Sequence, residues 1–170
     1  EHLGHLLNAG FLHLDMGSFV SPRAVPQMAD TEEVLSGLQA PPGADLLCII
    51  GNERGLARAV AASGVTSVGY PLSVNDTFQR RNLGMSLADS WPLVERLLAG
   101  ATEAGLELVV YLSMGFGNPY GEPWEPHVTA EAVARLRHLG VRRVALADTV
   151  GNANAAKVAA VLDAVDAPGE

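Results

Sequence analysis

Polar and conformationally unusual residues gather behind short apolar runs in this sequence: Asp15-Met-Gly-Ser18, Asn75-Asp76, Ser113-Met-Gly-Phe-Gly117 and Asp148-Thr149. A carboxylate in such a place can accept or donate a proton, or orient a cation and its ligands. It also has a plainer use, since Asp behind a strand often accepts hydrogen bonds from loop N–H groups. His13 lies two residues before Asp15 and so shares its side of a strand; a buried, hydrogen-bonded core histidine is expected there rather than a ligand. His2 and His5 read as a solvated helix face. His127 falls near the start of a helix and His138 near the end of one, where positive charge suits the dipole.

The elements that must position these groups follow a strand–helix rhythm. Strands are expected over 11–15, 45–50, 65–70, 106–112 and 141–147. Helices are expected over 31–38, 53–63, 87–104, 130–139 and 155–165. Runs such as Leu46-Leu-Cys-Ile-Ile50 and Leu108-Val-Val-Tyr-Leu112 are almost continuously apolar, as in strands of a parallel sheet buried on both faces. Gly10, Gly64, Gly105 and Gly140 stand where helices should stop, a position that favours the left-handed conformation. Five such βα units fit an open doubly wound sheet or part of a (β/α)8 barrel, and in both the carboxyl ends of the strands carry the chemistry. No Gly-x-Gly-x-x-Gly follows any strand, which weakens a dinucleotide-binding reading. Residues 1–9 read as the last turns of a helix, and the final helix runs into Ala-Pro-Gly-Glu. The expectation is one domain over 1–170 that belongs to a longer protein.

The composition removes other classes. Of 170 residues, 48% are hydrophobic, enough for a real core. The formal net charge of −8 argues against a nucleic-acid or anionic-membrane partner. No apolar run approaches the roughly 20 residues of a membrane span. Cys48 is the only cysteine, so no internal disulfide forms, the residue reads as core, and a reducing cytoplasm is the expected location.

The run from Asp15 to Asp30, with Ser18-Phe-Val-Ser-Pro22 and Val25-Pro-Gln-Met-Ala-Asp30, closely resembles the segment after the second strand of hydroxymethylglutaryl-coenzyme A lyases. Asn75-Asp-Thr-Phe78 with Arg81-Asn82, Tyr111-Leu-Ser113 with Gly117-Asn-Pro-Tyr120, and Leu146-Ala-Asp-Thr-Val-Gly151 agree in order and spacing. The resemblance implies a partial (β/α)8 barrel of the metallolyase superfamily supplying strands two to six, without strand one or strands seven and eight. It implies metal-dependent cleavage of 3-hydroxy-3-methylglutaryl-coenzyme A to acetyl-coenzyme A and acetoacetate, a step of leucine catabolism. The parent would use a divalent cation, Mg2+ or Mn2+, with its ligands outside this chain, and would form a possible homodimer; the fragment alone would be inactive. By the same resemblance Asp15, where relatives carry Glu, would orient the metal site, and Asp148 would be an acid/base group. Ser18, Phe19, Asn82 and Tyr111 would line the acyl pocket. Ala145 stands where some members have a substrate-contacting Ser. Arg80 and Arg81 could meet coenzyme A phosphates, and Phe116, Tyr120 and Trp124 lie in a loop that could cover the pocket. The alternatives are a related metallolyase or synthase acting on another acyl-coenzyme A or a 2-oxo acid, and a non-catalytic partial barrel that binds or assembles.

Overall fold

A computed structural model describes residues 1–167. Five strands alternate with helices: β1 (His13–Ser18), β2 (Asp45–Ile49), β3 (Ser67–Ser73), β4 (Glu107–Ser113) and β5 (Arg143–Leu146). They form one sheet in sequential order, with β1–β2, β2–β3 and β4–β5 in parallel register. Helix α1 (His2–Asn8) precedes β1, and α2 (Thr31–Ser36) and α3 (Glu53–Ala61) flank β2. Helices α4 (Asp76–Leu83) and α5 (Leu87–Glu103) join β3 to β4, α6 (Pro126–His138) follows β4, and α7 (Ala155–Asp166) follows β5. The fold is a partial α/β barrel of parallel strands, as the strand–helix rhythm and the resemblance led one to expect.

The chain divides into two compact units, one of Glu1–Tyr70 with Leu93–Leu108, the other of Pro71–Pro92 with the chain from Val109 on. In the first, Leu46, Leu47, Cys48, Ile50, Val68 and Tyr70 are almost wholly buried. The Cys48 thiol is pushed up to about 12 by burial, which fits an inert core residue. In the second, Leu72, Val110, Leu112, Met114 and Leu136 do the same work. The glycines expected to end helices at 10, 64, 105 and 140 all have positive φ.

Four elements depart most from the sequence reading: β1, β3, α4, and α6, which begins at Pro126 rather than at 130. β1 begins and ends later, and Phe11 and Leu12 are 58% and 42% exposed. Pairing with β2 sets its length, because backbone bonds continue to Ser18 wherever a partner strand is present. β3 is shifted likewise toward Ser73. Helix α4 is additional, and its signals were legible. Asn75 caps it by accepting from Phe78 N at 2.8 Å, and Gly84 closes it at φ +71.

Candidate functional site

In the first unit, Asp15 is the third residue of β1 rather than its end, opposite Leu47 of β2. It is exposed, as is His13, whereas Leu14 between them is 8% exposed. His13 is therefore not a core histidine: its side chain is 76% exposed, with Nδ1 3.4 Å from Asp45 Oδ2. The two residues do share a face, as a strand requires, and both are exposed there. Between Asp15 and Gly17 the register shifts, a bulge. Gly17 is needed because a β-carbon there would lie 2.7 Å from Thr31 Cγ2. The bulge lets Ser18 N donate to Thr31 Oγ1 at 3.2 Å.

The Ser18 hydroxyl is engaged locally. It donates to Ile49 O at 3.4 Å and accepts from Val20 N at 3.3 Å. Phe19 is 3% exposed, and the Arg58 guanidinium stands 5.2 Å from its ring centroid. Arg58 is fixed by Glu32, with Nε and Nη2 each donating at 2.9 Å. A cavity of about 240 Å³ behind β1 and β2 is lined by Phe19, Val20, Ser21, Asn52, Arg54 and Arg58, among others.

In the second unit, Asp148 follows β5 and is exposed. Its Oδ1 accepts from Asn152 N at 3.0 Å and its Oδ2 from Ala153 N at 2.9 Å. The Ala153 bond leads in holding the carboxyl below its usual range; the Asn152 and Gly151 N–H groups and the charge of Lys157 add to it, against partial desolvation. Asp148 is thus ionised at neutral pH, and its carboxylate organises the loop that leads to α7. Beside it, Thr149 Oγ1 accepts from Met114 N at 2.8 Å. Met114 is 1% exposed and holds φ +58, unusual for a residue with a side chain. Such strain is sustained only where the surroundings over-determine it, and here Thr149 supplies part of that constraint.

Tyr111 is half-buried in β4, directly opposite Ala145 of β5. Asn82 is exposed near the end of α4. Arg80 lies along the exposed side of its own helix, donating to Asp76 at 2.6 Å, whereas Arg81 stacks over Tyr120 at 4.8 Å. The loop carrying Tyr120 is tied down further: Asn75 Nδ2 and Thr77 Oγ1 each donate to Glu122 at 2.6 Å. Lys157 Nζ lies 5.7 Å from the Trp124 ring centroid, and Trp124 Nε1 is buried without a hydrogen-bond partner among the described residues. Glu122, Asn152 and Lys157 were not singled out from sequence. Their only signal was their place near strand ends.

Asp15, Ser18 and Phe19 thus belong to one unit, and Asn82, Tyr111 and Asp148 to the other. Among the described residues no three His, Cys, Asp or Glu side chains are grouped so that they could hold a metal ion. The donors among the described residues therefore do not by themselves make up a divalent-cation site. No helix among the described residues is long and apolar enough to cross a membrane.

The chain is 33% identical over 149 residues to the hydroxymethylglutaryl-CoA lyase of Pseudomonas mevalonii, covering 88% of this chain and 49% of that protein. It is 31% identical to the 3-hydroxy-3-methylglutaryl-CoA lyase, cytoplasmic, of Rattus norvegicus, covering 97% of this chain and 48% of that protein. It spans about half the length of the curated relatives it matches. The crystal structure of the HMG-CoA lyase from Brucella melitensis superposes on 96% of this chain and 57% of its own, at a TM-score of 0.90 and 31% identity. An HMG-CoA lyase from Acinetobacter baumannii, in complex with coenzyme A and 3-methylmalate, gives 0.89 at 28% identity over 96% of this chain and 53% of its own. The family model described as HMGL-like matches residues 5–168, and the chain belongs to that family.

Proposed function

We propose that this chain is part of a hydroxymethylglutaryl-coenzyme A lyase, a carbon–carbon lyase that cleaves 3-hydroxy-3-methylglutaryl-coenzyme A to acetyl-coenzyme A and acetoacetate. The observation that carries the reading is the agreement with lyases of this name over nearly the whole chain in both sequence and backbone. Residues 1–170 supply the second to sixth strands of one barrel domain. The reaction needs a base to take the substrate hydroxyl proton, breakage of the carbon–carbon bond, and a proton for the enolate that leaves. Asp148 enters that sequence ionised, so its part is to accept a proton or to orient charge rather than to donate. Asp15 orients the groups around the cation. Ser18, Phe19, Asn82 and Tyr111 line the acyl pocket, with Ala145 opposite Tyr111 tuning which acyl group is taken.

The divalent cation of the whole protein, Mg2+ or Mn2+, is held by residues that this chain does not include. It supplies a positive centre for the developing negative charge. A cytoplasmic location, a place in leucine catabolism and a homodimer complete the reading. The test is a product assay with 3-hydroxy-3-methylglutaryl-coenzyme A and Mg2+ or Mn2+, on the protein with its full encoded sequence and on residues 1–170. The full protein should release acetyl-coenzyme A and acetoacetate in equal amounts, and residues 1–170 should release neither. A full protein that leaves this substrate intact but cleaves or condenses another acyl-coenzyme A or a 2-oxo acid would move the assignment to a related metallolyase.

A further inference from the structure

We propose that Lys157 and Asn152, facing each other across Gly117, form a binding site for the anionic oxygens of a ligand, a phosphate or a carboxylate group. Lys157 is the only lysine in the chain. It is half-buried in the first turn of α7. Its ammonium is held 5.7 Å from the Trp124 ring centroid, within cation–π reach. Among the described residues it makes no ion pair. Asp148 contributes charge from nearby, but both its carboxylate oxygens already accept from Asn152 N and Ala153 N.

Asn152 has its backbone N–H on Asp148, while its Nδ2 has no hydrogen bond among the described residues. A β-carbon built on Gly117 would lie 3.8 Å from Asn152 Nδ2, 3.8 Å from Lys157 Nζ and 3.8 Å from Trp124 Cε3. Two nitrogen donors, one of them cationic, therefore lie close to the same side of a residue that has no side chain. Gly117 sits at φ +110, which residues with side chains rarely adopt. The backbone at this position thus puts no side chain beside the two donors. A compact ammonium beside an amide N–H suits the oxygens of phosphate or carboxylate, whose charge shortens and strengthens such bonds. The site stands behind β4 and β5, where this fold class places ligands. It rests on the lyase reading only for its natural ligand, since an acyl-coenzyme A carries both kinds of group.

Lys157 is the one lysine of residues 1–170, so the peptide that carries it identifies it. Amine-selective acylation of the full protein, followed by peptide mass spectrometry, reads Lys157 separately from every other amine. The probes are inorganic pyrophosphate, coenzyme A and glutarate, each at matched ionic strength. At least one should slow acylation of Lys157 by about fivefold, as expected for a Kd on the order of 1 mM and probe at several times that concentration. Protection by pyrophosphate and coenzyme A identifies phosphate, and protection by glutarate identifies carboxylate. In calorimetry the protecting probe should bind the parent, more weakly N152A, and not K157Q; circular dichroism confirms that the variants fold. Unchanged acylation with all three probes, or equal binding by K157Q, overturns the proposal. Protection without lyase activity in the full protein would leave this site standing and remove the lyase reading; lyase activity without protection would do the reverse.

Discussion

Asn75 Nδ2 donates to Glu122 Oε2 at 2.6 Å while Asn75 Oδ1 accepts from Phe78 N at 2.8 Å. One side chain thus caps α4 and fastens the loop between β4 and α6. Glu122→Ala should loosen that loop without unfolding the core, because Glu122 is exposed and its bonds to Asn75 and Thr77 are partly screened. Hydrogen exchange of the amides around 118–124 should accelerate, with a global loss of about 1 kcal/mol or less. Unchanged exchange in that loop would show that the carboxylate does not hold it.

Gln79 is fully buried. Its Oε1 accepts from Ser73 N at 2.9 Å, and its Nε2 donates to Ser90 Oγ at 2.9 Å. Gln79→Ala leaves both partners buried and opens a cavity, so urea unfolding should report a loss of about 2–4 kcal/mol. Asn82→Ala, three residues further along α4 and exposed, should stay within about 0.5 kcal/mol. Similar values for the two would mean that the Gln79 bonds are replaced on truncation.

Asp148 and Asp76 both have carboxyls lowered in the folded state. For Asp148 the Ala153 N–H leads, and for Asp76 the Leu87 N–H leads, followed by Arg80. A lowered folded value means that the stabilisation is complete above the unfolded value, near 4, and is lost as pH falls through the folded one. The stability difference between the parent and Asp148→Asn should therefore be constant near pH 7 and shrink below about pH 4. Denaturation followed over that range checks it; a difference that grows toward acid would reverse the sign and refute the assignment of Asp148 as ionised.

Asp15 carries the sharpest prediction about the whole enzyme. Asp15→Asn in the full-length protein should lower turnover by about 10–100-fold, the usual loss when a group that orients metal ligands is removed. Apparent substrate affinity should change much less, since most of the substrate binds elsewhere. Asp15 is exposed on β1, so folding should be little affected. Steady-state kinetics within about twofold of the parent would end its functional assignment, being far short of that loss.

What the sequence determined by itself is the part that local chemistry dictates. The apolar runs around Leu47 and Val110 had to be buried strands, and the glycines at 64, 105 and 140 had to end helices, because periodicity and φ preference act within a few residues. The motif around Ser18-Phe-Val-Ser-Pro22 was specific enough to give the family. Asn75 and Gly84 also bracketed α4 legibly, but the helix between them is short and polar, so its apolar pattern was silent. Tertiary structure alone decided the rest. It set the ends of β1 and β3, because strand length depends on what pairs alongside. It left His13 exposed, because alternation along β1 fixes that His13 and Asp15 share a face but not whether anything covers it. It also brought Lys157 and Asn152 against Gly117, and Glu122 against Asn75, by packing loops distant in sequence onto one another. No spacing rule encodes such a meeting, because the distance between those residues depends on the whole path of the chain between them.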